Sequence, residues 1–207
     1  MKVRMFFGAL ILVGATAVVT QVVSQDGEGS AAQQKAEQEM MAKWMEFMTP
    51  GEPHQYLMQS VGDWTSVSEM WMVPGQPSMP TTGRGTIKSI MDGRYVVEEV
   101  DGEGMGMQWQ GMGVRGYDNL KKKFIAVWLD SMGTGVMVME GRQSGGVINY
   151  RGMGPDVMTG EYVPMRFVEK MIDKDNYEFE MFGPGPDGKE FRTMRMHYTR
   201  VSMKKTK

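Results

Sequence analysis

The sequence predicts an all-β protein, a closed antiparallel meander barrel of about ten strands with an N-terminal helix. Three observations predict this class. Short runs of strand-forming residues follow one another from residue 54 onward, turn residues separate them at intervals of about ten residues, and no helical period interrupts the series. Closing such a meander removes its exposed edges, which favours a barrel over an open sheet.

Residues 1–24 are predicted to be a signal peptide. Lys2 and Arg4 precede an apolar run, and small residues before Gln25 provide a cleavage site. We therefore expect an exported protein, periplasmic or extracellular, without stable membrane association after cleavage. The apolar run is also long enough to remain as an uncleaved anchor in the inner membrane, which is the alternative.

Residues 25–32 are small and polar and are predicted to be a flexible linker. Residues 33–53 are predicted to be an amphipathic helix that ends at "TPGEP". Four apolar residues share one helix face because they recur at spacings of three and four: Met41, Trp44, Met45 and Met48. This face favours packing on the helix's own domain; a membrane-surface or partner helix is the alternative.

The barrel domain is predicted to occupy residues 54–201, followed by a basic tail at 202–207. The predicted strands are 63–72, 82–91, 94–101, 106–116, 123–130, 135–142, 147–153, 161–172, 176–183 and 189–201. Between them lie turn sequences such as "DGR", "EGMG" and "QSGG", in which glycine and aspartate accept the backbone angles of tight turns.

The first and last strands are predicted to meet at a plugged end of the barrel. Gly62 precedes Trp64 by two residues at the start of the first strand, and Arg200 lies near the end of the last. A large ring on the first strand can close one end of a small barrel, and a guanidinium can stack on it. On the last strand, alternation places one set of residues on the same inner face: Arg192, Met194, Met196, Tyr198 and Arg200.

The Gly62-x-Trp64 motif with a terminal arginine resembles the calycin signature of lipocalins and fatty-acid-binding proteins. Five segments are similar to the bacterial domain-of-unknown-function family 1579: "PGEPHQYLMQSVGDW", "GRGTIKSIMDGRYVVEE", "GYDNLKKKF", "WLDSMGTG" and "GPDGKEF…YTR". The resemblance covers about residues 35–201, with "WLDSMGTG" its most specific part. It implies a lipocalin-like barrel and no established activity.

The composition argues against several classes of function. The formal net charge is −2 and no concentrated basic face is evident, so we expect no nucleic-acid binding. The chain has no cysteine and no hydrolase motif. "GMGVRG" matches the G-x-G-x-x-G spacing, but a turn and a strand follow it instead of a helix, so close backbone approach explains its glycines better than a dinucleotide. We therefore predict no enzyme activity, no catalytic residue and no cofactor.

The chain contains 25 methionines, including four pairs at M-x-M spacing: Met70/Met72, Met105/Met107, Met137/Met139 and Met194/Met196. Soft thioethers on one strand face suit Cu(I), but a barrel interior filled with methionine produces the same spacing. We favour the interior, with a periplasmic copper binder as an alternative, and predict no metal site.

The two histidines bear on a further alternative, a haem binder. His197 falls on the strand face opposite Met194 and Met196, so it is expected to face solvent and not to reach a haem inside the barrel. His54 lies before the barrel and is expected at the surface or as a cap.

Six residues are predicted to line a ligand site: Tyr95, Trp109, Trp128, Met139, Arg166 and Met196. Arg166 would need a carboxylate from Glu140, Glu180 or a ligand if it were buried; strand parity leaves open whether it faces inward or forms a surface ion pair. The predicted function is the binding of a small hydrophobic or amphipathic ligand. A filled barrel that acts as a structural or protein-interaction module is the alternative, and the oligomeric state stays open.

Overall fold

The computed structural model describes residues 27–202. The predicted signal peptide and the last five residues of the predicted basic tail lie outside this range. Residues 43–202 form one compact unit, and residues 27–42 are the described part of another. Within the described range, no helix has both the length and the apolar character needed to cross a membrane.

Within the described residues, two helices precede ten strands. The helices are α1 (Gly27–Met48) and α2 (Glu52–Met58). The strands are β1 (Gly62–Met70), β2 (Met79–Ile90), β3 (Tyr95–Gly104), β4 (Met107–Asp118), β5 (Lys123–Asp130), β6 (Met137–Ser144), β7 (Val147–Asp156), β8 (Glu161–Asp173), β9 (Asn176–Pro184) and β10 (Glu190–Arg200). Each of the ten predicted strands corresponds to one of these, with ends that differ by a few residues.

The strands form a closed antiparallel barrel in which each pairs with its sequence neighbours and β10 pairs with β1. The closing register sets Trp64 opposite Arg200. Two-residue turns with positive φ at both positions join β3 to β4 (Met105, Gly106) and β6 to β7 (Gly145, Gly146). Such turns match the right-handed twist of paired strands, which explains the short connections of the meander. The predicted fold class is confirmed.

The N-terminal segment differs from its prediction in two ways. The helix α1 begins at Gly27, so residues 27–32 are helical, although they were predicted to be a linker. The "TPGEP" segment ends α1 but also starts α2, which the sequence reading missed. Pro53 lies in the first turn of α2, where the helix needs no backbone N–H from it.

The C-terminal turn of α1 contributes little to the core. Trp44, Met45 and Met48 leave about half of their surface exposed, so the expectation that they pack on the domain was wrong for this part of the helix. The turn is held through its backbone instead. The side-chain amide of Asn119 donates to the carbonyl oxygens of Phe47 and Thr49, each at 2.9 Å. These bonds satisfy acceptors that a helix end leaves unpaired.

The packed core lies at the end of the barrel that α2 covers. Inward-facing positions alternate along each strand, and the most deeply buried side chains are Leu57 of α2 with Trp64, Ile87, Val96, Phe124, Ile148, Tyr150 and Phe167 of the strands. Leu57 is almost completely buried, so α2 acts as an apolar lid on this end. The core therefore closes one end and leaves the other for the site described next.

Candidate functional site

A cavity of about 370 Å³ occupies the barrel interior. Its outer part is bounded by residues at the strand ends away from α2, such as Met70, Met105 and Met132. Met105 and Met132 each expose about half of their surface, so the cavity reaches solvent between the turns that carry them. Its deep end lies among Arg115, Tyr177 and other residues near mid-barrel. The interior is therefore a pocket with one open end.

The walls of this cavity are largely methionine and aromatic side chains. Nine methionines line it: Met70, Met105, Met132, Met137, Met139, Met165, Met181, Met194 and Met196. Both members of two M-x-M pairs, 137/139 and 194/196, are among them, whereas Met72 and Met107 are exposed. Methionine has a flexible and polarisable side chain, so these walls can adapt to ligands of different shape.

Two tryptophan rings lie against glycines of the wall. The Trp109 ring occupies the space in which a side chain at Gly102 would lie, and the Trp128 ring does the same at Gly111 and Gly113. The Trp128 indole N–H donates to Asp130 Oδ2 at 2.7 Å, which fixes the ring. The "GMGVRG" glycines are therefore explained by the close approach of aromatic rings; the sequence reading had attributed it to neighbouring backbone.

The "WLDSMGTG" segment holds this wall through backbone hydrogen bonds. Asp130 Oδ1 accepts from the backbone N–H of Met132 at 2.9 Å. Ser131 Oγ accepts from the backbone N–H of Gln110, also at 2.9 Å. Asp130 and Ser131 thus bind backbone amides at the turn that follows β5.

Three charged side chains meet at the deep end. Arg115 Nη1 donates to Glu169 Oε1 at 2.6 Å, and Arg115 Nη2 lies 3.9 Å from Glu98 Oε2. All three residues are less than a tenth exposed. Nη2 also lies 3.3 Å from the hydroxyl of Ser60, which connects the group to the segment after α2. Buried charges persist only when paired, and here one cation faces two carboxyl groups.

Four polar atoms of the deep end are buried and make no hydrogen bond of good geometry: Glu98 Oε1, Arg115 Nε, Tyr150 Oη and Tyr177 Oη. Tyr150 lies close to Glu169, and Tyr198 lies close to Tyr177 and Glu98, so three of these side chains have a polar neighbour without a well-formed bond to it. All four belong to side chains that line the cavity. Buried polar atoms in native proteins are nearly always paired, so four such atoms in one place form an incomplete hydrogen-bond network. A group that enters the cavity with both donor and acceptor atoms could complete it.

The ionisation of these groups follows from their burial. Burial raises the pKa of the Glu98 carboxyl; Arg115 opposes that shift and Glu169 reinforces it. Burial disfavours the charged form of Arg115, but Glu169 and Glu98 outweigh this effect and hold its pKa well above the usual value. Burial also raises the pKa of the Tyr150 and Tyr177 phenols well above their usual value. The phenols are therefore neutral hydrogen-bond donors, and Arg115 is charged.

Of the six residues expected to line a ligand site, four line the cavity: Trp109, Trp128, Met139 and Met196. Tyr95 does not, because β3 turns Val96 and Glu98 inward and Tyr95 outward, where its ring covers Gly116.

Arg166 does not line the cavity either. It lies on the outer face of β8, pairs with Glu190 at 2.6 Å and places its guanidinium 3.7 Å from the ring centre of Phe182. Of the two orientations that the sequence left open for Arg166, the structure therefore shows the outward one, with a surface ion pair.

The buried arginine of the barrel is Arg115, which the sequence reading passed over together with its partner Glu169. The sequence does contain a pattern that indicates the inward position of Arg115. Trp109 was expected inward, and strand alternation then places Arg115, six residues later on β4, on the same inner face. Alternation on β3 likewise turns Glu98 inward, where it is buried, and Glu99 outward, where it is exposed.

The opposite end of the barrel is closed by the expected pair. The guanidinium carbon of Arg200 lies 4.1 Å from the ring centre of Trp64, which is almost fully buried. Arg200 also donates to the carbonyl oxygens of Gln59, Val61 and Lys174 at 2.6–2.8 Å. Gly62 has φ +142°, and a side chain there would collide with the Arg200 guanidinium. A stack of Tyr177 on Tyr198, 4.0 Å apart, connects this plug to the cavity.

Arg192, expected on the inner face, lies outside. A register shift between Arg192 and Met194 turns its side chain outward, where it pairs with Glu180 at 2.8 Å.

The histidines lie away from the cavity. His197 is on the outer face of β10, as parity predicts, with Nδ1 3.9 Å from Glu178. His54 is buried, which corrects the surface placement considered for it; its Nδ1 accepts from the Gly51 backbone N–H at 3.0 Å and caps α2. Among residues 27–202, no three His, Cys, Asp or Glu side chains are grouped to hold a metal ion.

Comparison with known proteins bears on the identity of this barrel. Residues 49–200 match the family described as "Protein of unknown function (DUF1579)". The chain belongs to this family. The match spans α2 and all ten strands, so the whole DUF1579 barrel is included. A search of curated proteins found no match to this DUF1579 member.

Solved structures share the barrel at low sequence identity. The S-type phycobiliprotein lyase CPES from Guillardia theta is 11% identical, with a TM-score of 0.50 over 77% of this chain and 97% of that one. Rv2717c from M. tuberculosis is 12% identical, with a TM-score of 0.54 over 74% of this chain and 100% of that one. At this identity the likeness shows the fold alone.

Proposed function

We propose that this DUF1579 member is an exported, non-catalytic protein that binds one small amphipathic ligand inside its barrel. The observation that carries the proposal is the set of four unpartnered polar atoms at the deep end of a cavity whose other walls are apolar. The volume, about 370 Å³, falls within the range of about 300–1,000 Å³ typical of small-molecule sites. An interior of this size also argues against the filled-barrel alternative.

A binding role is favoured over catalysis by the placement of the two histidines. His54 caps α2 and His197 lies outside, so neither reaches the cavity. Arg115 and Glu169 are committed to each other at 2.6 Å, and the phenols that accompany them are held neutral by burial. These groups suit the recognition of a polar head better than proton transfer near neutral pH.

The experiment is native mass spectrometry of the protein purified from its own host, paired with titration by Nile red, a neutral dye that reports apolar surroundings. We expect a non-covalent small-molecule adduct on the wild type and saturable dye binding. Met139→Trp, which fills the cavity, should abolish both. Val138→Trp, one residue away on the exposed outer face of β6, is the matched control and should retain both.

A second cavity variant, Ala126→Leu, protects the test against misfolding of Met139→Trp, since Ala126 is a buried wall residue and gains fewer atoms. Far-ultraviolet circular dichroism would show that each variant is folded. A wild type without an adduct and without dye binding would overturn the binding function.

Export is proposed from the charged and apolar pattern of residues 1–24. Cell fractionation with intact-mass analysis tests it. A soluble exported form that begins at Gln25 is expected. A membrane-bound form that retains Met1 would support the anchor instead, and a cytoplasmic full-length form would overturn export.

A further inference from the structure

We infer that the head group of the ligand is uncharged and carries both a hydrogen-bond donor and an acceptor, as a hydroxyl or a carboxamide does, and that the site rejects carboxylates. This inference rests on the proposed ligand binding and specifies its chemistry. It departs from what a buried arginine in a ligand-binding barrel would ordinarily suggest, namely a salt bridge to an anionic head group.

The charge balance at the deep end disfavours an anion. One cation, Arg115, faces two carboxyl groups, Glu169 at 2.6 Å and Glu98 at 3.9 Å. Its strongest ion pair is thus already made within the protein. A ligand carboxylate would add a third acid to a site with a single base, and burial leaves little water to screen the repulsion.

The hydrogen-bonding inventory disfavours a cation as well. The unpartnered atoms comprise one donor, Arg115 Nε, one carboxyl oxygen, Glu98 Oε1, and the Tyr150 and Tyr177 hydroxyls, which can donate or accept. An ammonium group donates only, so it would satisfy Glu98 and leave the Arg115 donor unpaired. A carboxamide or hydroxyl accepts from the donors and donates to Glu98. Each of these two groups is therefore a simple head group that pairs with both the Arg115 donor and the Glu98 acceptor.

Glu98 is the residue that sets this preference. The groups that face its carboxyl come from several strands: Arg115 on β4, Glu169 on β8, Tyr177 on β9 and Tyr198 on β10. Burial raises the pKa of Glu98, Arg115 opposes that shift, and Glu169 reinforces it. Its neighbour Glu99 points outward and pairs with Lys88 at 3.2 Å, so the chain supplies a matched control for any change at Glu98.

The test uses four probes that share one decyl chain: decanamide, decan-1-ol, decanoate and decylamine. Each is titrated against Nile red on the wild type, Glu98→Gln and Glu99→Gln at neutral pH. We expect decanamide and decan-1-ol to bind the wild type at least about tenfold more tightly than decanoate and decylamine, a difference of about 1.4 kcal/mol. Glu98→Gln balances one acid against one base and should reduce the discrimination against decanoate, whereas Glu99→Gln should not.

The outcomes separate the two proposals. Decanoate or decylamine that binds the wild type as tightly as decanamide would overturn the head-group inference and leave ligand binding intact. An unchanged discrimination against decanoate in Glu98→Gln would likewise overturn the role of Glu98. Failure of the dye and of all four probes to bind would overturn ligand binding itself.

Discussion

Arg200 covers the ring of Trp64 from the far end of the sequence, with its guanidinium carbon 4.1 Å from the ring centre. The two residues are register partners where β10 closes the barrel on β1. Each nitrogen of the guanidinium also donates to a backbone carbonyl of the closed end. A single side chain therefore joins the first strand, the last strand and the segment after α2.

Arg200→Ala should destabilise the protein by about 2–4 kcal/mol, because it removes three hydrogen bonds to carbonyls and a cation–π contact. Arg200→Lys keeps the charge but cannot reach three carbonyls with one ammonium, so we expect an intermediate loss. Urea unfolding followed by tryptophan fluorescence measures both. A loss below about 0.5 kcal/mol for the alanine variant would contradict a structural role for the plug.

Gly62→Ala should cost more than the same change at a glycine with free space. Gly75 also has a positive φ, +77°, but no atom lies within 4 Å of an added side chain, so Gly75→Ala should cost only about 1–2 kcal/mol of backbone strain. At Gly62 the added methyl group meets the Arg200 guanidinium as well. The additional destabilisation of Gly62→Ala over Gly75→Ala should be smaller in the Arg200→Ala background. Thermal unfolding of the single and double variants measures this difference. An excess of the same size in both backgrounds would show that Arg200 is not its cause.

Glu98→Gln should stabilise the fold at neutral and higher pH. The pKa of Glu98 is raised in the folded state by burial, so its contribution to stability is complete below the unfolded pKa and is lost as pH rises through the folded value. The melting temperature of the variant should therefore exceed that of the wild type near pH 8 and approach it near pH 4. Glu99→Gln, on the exposed side of the strand, should show no such pH-dependent gain. Stabilisation of Glu98→Gln that is largest in acid would reverse the sign and contradict the assignment.

Arg166, the arginine expected in the ligand site, and Arg115, the one found there, should behave differently when they are replaced. Arg166→Ala removes an ion pair and a ring contact at the surface, and should cost about 1 kcal/mol or less without changing Nile red binding. Arg115→Met leaves two buried carboxyl groups without a cation, and should cost about 3–5 kcal/mol. Equilibrium unfolding and dye titration of both variants provide the comparison. Equal losses at the two positions would contradict the burial of the Arg115 group.

Much of the site could have been predicted by applying the alternation of inward and outward side chains along the whole of each strand. Trp109 and Met139 were expected inward and line the cavity, because the period of two in an extended strand is strict. The same period places Arg115 on the same face of β4 as Trp109. On β10 the alternation is interrupted by a register shift between Arg192 and Met194, so the Arg192 side chain points outward although the Met194 side chain points inward. Tyr95 was assigned to the wrong face because no other residue of β3 had been predicted to point inward, so the alternation of that strand had no reference position.

By itself the sequence determined the number and order of the strands, the turns between them and the pairing of Trp64 with Arg200, because these follow from local alternation, turn chemistry and closure of a meander. Only the tertiary structure decided that Arg115, Glu98 and Glu169 meet, and that a cavity remains above them. Those residues lie on three strands, and which inward side chains face one another across a barrel depends on the stagger between strands and on the volume that the side chains leave unfilled. Neither quantity is encoded in the pattern of any single strand.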